Sequence, residues 1–158
     1  MIIIGIDPGT ATTGYGIIKI EDKEHKCLDY GVINTSPKWS VGDRLYKIGV
    51  DLSDVLEKYN PDVLAIESLF FFKNVKTAIP VSQARGVILM IAAKKEIKTY
   101  EYTPLQAKMA TVGYGRAEKK QIQEMVKILL NLDEVPKPND AADALAIAIC
   151  HISSQKFL

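Results

Sequence analysis

The sequence predicts an α/β fold, a mixed sheet flanked by helices. Three features carry the prediction. The chain opens with three strand-like segments in a row, the pattern of an antiparallel meander. Residues 2–7 are almost continuously apolar, which marks a strand buried on both faces. From there on, short apolar runs alternate with stretches whose apolar residues recur at helical spacing, giving the order βββαβαβααα.

Each element has its own signal. The run 2–7 stops at Asp7-Pro8-Gly9-Thr10, a strand entering a turn. Segments 14–20 and 26–34 are the next two strands, joined by the charged turn 21–24. Over 43–59, Leu45, Ile48, Leu52, Val55 and Leu56 recur as on one face of a helix. Pro61-Asp62 ends that helix and opens a strand at 63–67. A long helix over 75–93 carries Val81, Ala84, Val87, Ile88 and Ile91, with Pro80 marking a late start or a kink. A fifth strand follows at 97–102. Thr103-Pro104 then reads as an N-cap and a first-turn proline opening a short helix. Helices over 118–130 and 139–151 complete the chain.

At 158 residues the chain predicts one domain, 1–158, with no repeat, linker or low-complexity tract. Lys94 and Lys95 interrupt the longest apolar stretch, so no membrane contact is expected. The N-terminus lacks a basic region followed by a small-residue cleavage site, so 2–7 is read as a strand and not as a signal peptide. Cys27 and Cys150 lack metal-type spacing and sit in apolar surroundings. They are expected to be buried free thiols of a cytoplasmic protein.

Net charge is +1, but its distribution is uneven. Residues 73–120 hold 10 basic and 3 acidic side chains, net +7, whereas 1–72 carry −4 and 121–158 carry −2. A basic middle between acidic ends suits a polyanion held near a carboxylate site; the plain alternative is a solvated face.

Four acids stand where solubility does not need them. Asp7 and Glu67 end strands that are otherwise central by composition. Asp140 and Asp143, three apart, project from the same side of the start of a strongly apolar helix. Buried like charges need a cation, and oxygen ligands without a Cys/His cluster favour a hard ion such as Mg²⁺ over zinc. Taken singly, Asp140 or Asp143 could serve the helix dipole, Asp7 an Asx turn, and Glu67 a lysine pair. The four converge only if the first and fourth strands lie side by side.

These pieces together resemble the RuvC family of crossover junction endodeoxyribonucleases, the bacterial Holliday junction resolvases. The matching segments run along nearly the whole chain: 5–10 and 13–16, Ala65-Ile66-Glu67 with Phe70 and Lys73-Asn74, 83–86, Val112-Gly113 with 117–119, and 140–146. The resemblance implies a ribonuclease-H-like fold, a five-stranded mixed sheet with helices on both faces, acting as a homodimer on four-way junction DNA. It implies two Mg²⁺ per subunit, with Mn²⁺ as a substitute, held by Asp7, Glu67, Asp140 and Asp143, with Asp7 as the candidate bridge. Lys119 and Lys108 match lysines beside the active site, and Phe70 an aromatic that stacks on a junction base. Products with a 5′-phosphate and a 3′-hydroxyl follow, as do the branch-migration proteins RuvA and RuvB as partners. Lys73, Asn74, Lys76, Arg85, Lys108, Arg116, Lys119 and Lys120 are the expected DNA contacts. Two departures stand out. Arg116 occupies a spot often held by a small residue, and Phe71 and Phe72 leave open which of the three rings stacks. Other readings are a relative of actin-like ATPases or sugar kinases, an RNA-cutting relative, and a catalytically silent junction binder. The chain is short for the first, and the four intact acids oppose the last.

Overall fold

The structure, a computed structural model, describes residues 1–22, 24–68 and 75–155. Strands β1 (Ile2–Asp7), β2 (Thr12–Glu21) and β3 (Glu24–Asn34) form the N-terminal meander. Helix α1 (Val41–Tyr59), β4 (Val63–Glu67), α2 (Val75–Lys94), β5 (Lys98–Tyr102), α3 (Pro104–Val112), α4 (Lys119–Leu129) and α5 (Asn139–Gln155) follow. The sheet order is β3-β2-β1-β4-β5. The meander pairs antiparallel, and β4 and β5 join parallel to β1, so the sheet is mixed as expected.

The strands segregate two apolar layers by alternation. Ile4, Ile6, Ile17, Leu64 and Ile66 face α1 and α2, where they meet Ile48, Leu52, Ala84 and Ile88. Ile3, Ile18, Val63 and Ala65 face the other side, under Leu145, Ala148, Ile122 and Val126. Helix α5 is apolar nearly all round because it is buried nearly all round, between the sheet and α3 and α4.

Local caps explain the boundaries. Ser40 caps α1 through Asp43, and Asn60 in the left-handed region ends it. Thr103 caps α3 ahead of Pro104, as the sequence predicts, and with Gln106 it completes a capping box. Helix α2 passes through Pro80 instead of starting after it. The proline falls early in the helix, and its carbonyl accepts the Thr10 hydroxyl at 2.6 Å. The fifth strand begins one residue later than expected, because Ile97 N–H bonds the Ala92 carbonyl and Glu96 turns the chain at φ 58°. Cys150 is buried but Cys27 is only half-buried; both are free thiols. Burial pushes each thiol up to about 11. Among the described residues no helix is long and apolar enough to cross a membrane.

Candidate active site

The alternation that builds the core also aims the acids. Along β1, Ile3, Gly5 and Asp7 share the α5 side; along β4, Val63, Ala65 and Glu67 do. β1 and β4 are parallel neighbours with Ile6 opposite Ile66, so Asp7 and Glu67 end side by side at one sheet edge. The first and fourth strands are adjacent, which is the condition the sequence left open.

Asp140 and Asp143 reach the same edge because α5 lies directly on the strands. Glycine permits this. A Cβ on Gly14 would collide with the Asp140 carbonyl, one on Gly5 with the Ala144 carbonyl, and one on Gly16 with the Leu145 side chain. Gly14 is the cross-strand partner of Asp7, and Gly5 of Gly16. The bare backbone patch is thus registered against the acids, and it fixes the height of α5 above them.

The electrostatics are those of crowded carboxylates. Burial, then the charges of Glu67, Asp143 and Asp140, push Asp7 up to about 8. Burial and Asp143 raise Glu67, against the hydrogen bond it shares with Asp7. Burial raises Asp143 too, offset by Lys119. Lys119, the first residue of α4, places Nζ 2.7 Å from Asp143 Oδ2. Burial works to lower its ammonium, but the Asp143 hydrogen bond and the nearby acids outweigh that and raise it. Among the described residues no three Asp, Glu, His or Cys side chains are grouped closely enough to form a ready metal shell. Instead Glu67 hydrogen-bonds Asp7, and Lys119 pairs with Asp143. The donor set still fits a hard divalent cation: oxygen ligands only, on rigid elements, with pKa values that a cation would bring down.

Lys108, on α3, and Lys119 flank Glu67 and Asp143 around a cleft of about 200 Å³ floored by Ala107 and Ile122. The other expected DNA contacts divide. Lys76 is exposed at the start of α2, and Arg116 is exposed ahead of α4. Lys120 borders a separate groove beside Tyr114 and Glu124. Arg85 is half-buried, its Nη2 2.6 Å from Glu101 Oε1 on β5, so it braces α2 against the sheet. Phe70, Phe71, Phe72, Lys73 and Asn74 lie outside the described residues. Sequence reasoning missed Arg44 of α1, whose Nε donates to Thr35 Oγ1 at 2.8 Å beside the turn that follows Asp7. Its only cue was a basic residue near a helix start, which is too common to use.

A five-stranded mixed sheet with acids on two adjacent central strands, completed from the helix laid over them, defines a ribonuclease-H-like nuclease. The family model described as "Crossover junction endodeoxyribonuclease RuvC" matches residues 3–151. The chain belongs to the RuvC family. The protein of that name from Halothermothrix orenii is 56% identical over 156 residues, covering 99% of this chain and 94% of the relative. The one from Alkaliphilus metalliredigens is 57% identical over 157 residues, covering 99% and 96%. Thermus thermophilus RuvC, solved in complex with a Holliday junction substrate, superposes with a TM-score of 0.93 at 34% identity, covering 99% of this chain and 96% of that one.

Proposed function

We propose that residues 1–158 form one nuclease domain that resolves four-way DNA junctions by paired, symmetric nicks. The observation that carries this is the convergence of Asp7, Glu67, Asp140 and Asp143 on one sheet edge, with Lys119 against Asp143. The similarity to a RuvC solved with a Holliday junction supports the choice of substrate. The four acids would hold two Mg²⁺ or Mn²⁺ ions, which would supply activation of the attacking water and stabilisation of the leaving oxygen. Lys119, delivered by α4, offsets negative charge on the scissile phosphate, and Lys108 closes the same cleft.

A homodimer suits a substrate of two-fold symmetry, since each subunit holds one set of acids. Helix α2 supports this role, with Ile79 64% and Met90 61% exposed on its outer side. On the same helix Ala84 is fully buried against the sheet and serves the core, while Gly86 is open. The branch-migration proteins RuvA and RuvB, and a cytoplasmic location, follow from the family alone. A catalytically silent junction binder finds no support in a site whose four acids and lysine are all in place.

The test is cutting of a synthetic four-way junction in Mg²⁺, beside a linear duplex of the same sequence. Paired nicks in the junction and an intact duplex are expected. Equal cutting of both overturns junction selectivity, and no cutting of either overturns the nuclease.

A further inference from the structure

A second groove, of about 430 Å³, meets the acids at Asp140 and shares no lining residue with the Lys108–Lys119 cleft. Its walls are the turn after Asp7 (Gly9 to Thr12), Arg44 of α1 and Lys76 and Pro80 of α2, and it ends at Asp140. The walls are tied together by a chain of hydrogen bonds. Thr10 Oγ1 donates to the Pro80 carbonyl at 2.6 Å, Thr35 Oγ1 donates to the Thr10 carbonyl at 2.5 Å, and Arg44 Nε donates to Thr35 Oγ1 at 2.8 Å. Thr35 N–H also bonds the Ala11 carbonyl at 3.0 Å. One contact on Nε fixes the Arg44 guanidinium and leaves its two terminal amino groups for a ligand.

Among the described residues neither Arg44 nor Lys76 forms an ion pair, although Asp140 lines the same groove. A half-buried, oriented guanidinium with no carboxylate partner is suited to an anion supplied from outside, and its fork matches two phosphate oxygens. The acids therefore lie between two cationic edges: Lys108 and Lys119 beside Glu67 and Asp143, Arg44 and Lys76 beside Asp140.

Resting on the nuclease reading above, we propose that the Arg44–Lys76 groove is a second phosphate grip, which holds the backbone of the cut strand on the far side of the scissile bond. A strand gripped on both sides is held taut across the acids, and a one-sided contact would leave it free to swing. The groove takes a phosphodiester of DNA and reads no base.

The test is binding of a fluorescent four-way junction, without divalent cation, as a function of salt. Wild type, Lys76→Gln and the Arg44→Gln/Lys76→Gln double variant are compared. Each lost phosphate contact should lower the slope of log affinity against log salt by roughly 0.9, and the double variant should bind roughly ten-fold more weakly at 0.15 M salt. Arg44 also anchors Thr35, so the double variant's melting is checked. If it fails to fold, Lys76→Gln and a second measurement decide. In that measurement single neutral methylphosphonates are walked along the cut strand against the wild-type protein. Weakened binding on both sides of the cut supports the grip. Weakening on one side only, or variants that fold normally and keep wild-type affinity and slope, overturns it while the nuclease reading stands. A wild type that neither binds nor cuts the junction overturns both.

Discussion

Lys119 Nζ stands 2.7 Å from Asp143 Oδ2, so an ammonium from the start of α4 pairs with a carboxylate from the start of α5. The two helices pack against each other, and Ile122 and Val126 of α4 share one apolar core with α5. The pair therefore depends on the packing of both.

If Lys119 offsets charge on the phosphate, Lys119→Met should lower the cutting rate roughly 100-fold or more and leave junction affinity nearly unchanged. Lys119→Arg, which keeps the charge, should recover part of the rate. Single-turnover cutting alongside equilibrium binding separates the two effects. A rate unchanged in Lys119→Met would remove the residue from the chemistry.

Gly14→Ala tests how α5 is seated. The added methyl meets the Asp140 carbonyl, which is backbone and cannot rotate away. Overpacking of this kind costs about 1–3 kcal/mol, a fall of roughly 3–10 °C in Tm for a chain of this size. Cutting should fall further than stability explains, because Asp140 is displaced from Asp7. Gly42→Ala, in the first turn of α1 with only Ser40 Oγ nearby, is the matched control and should be neutral or slightly stabilising. Thermal melting and cutting of both variants give the comparison.

The fold was legible because its strands are apolar where they are central and alternate where they are not. The α5-side positions of β1 and β4 end in Asp7 and Glu67, and this could be read from Ile3, Gly5, Val63 and Ala65 once the strands were known to be neighbours. That adjacency is a long-range pairing which local pattern does not encode. Arg85 shows the same limit: its partner Glu101 is on another element, so a braced arginine looked like a free DNA contact. Arg44 is the converse, a solvent-type residue by pattern that Thr35 fixes beside the site. The glycines of β1 and β2 were visible as a motif, but their role appears only when α5 is laid over them.

The Asp7 pKa predicts a pH dependence. Burial and three acid neighbours raise it from 3.8 to about 8, so the folded chain holds a proton there that the unfolded chain has released. The stability tied to that proton is fully present below pH 4 and is lost as pH rises through about 8. Without divalent cation, Tm should fall as pH rises from about 4 to about 8 and level off above that. Asp7→Asn should flatten this fall and raise Tm at pH 9 by roughly 3–6 °C, about 1–2 kcal/mol. Mg²⁺ should do the same for the wild type by neutralising the acids. A wild type whose melting is flat over this range would contradict the crowding of charge.

Ile79→Asp and Met90→Lys place charge on the exposed apolar positions of α2. If α2 forms the dimer surface, sedimentation should show these variants as monomers. On a four-way junction held in a supercoiled plasmid they should leave single nicks where wild type leaves linear product. Dimers that persist in both variants would move the interface elsewhere.

The central claim is that four carboxylates form one metal-dependent cutting site, and the most direct measurement compares cutting and binding in Asp7→Asn, Glu67→Gln, Asp140→Asn and Asp143→Asn. Each change keeps the shape and adds no negative charge, so attraction to DNA cannot weaken. The account predicts that each variant binds a four-way junction as tightly as wild type or tighter, and that none nicks it in Mg²⁺ or Mn²⁺. Full nicking by any two of the four would contradict it.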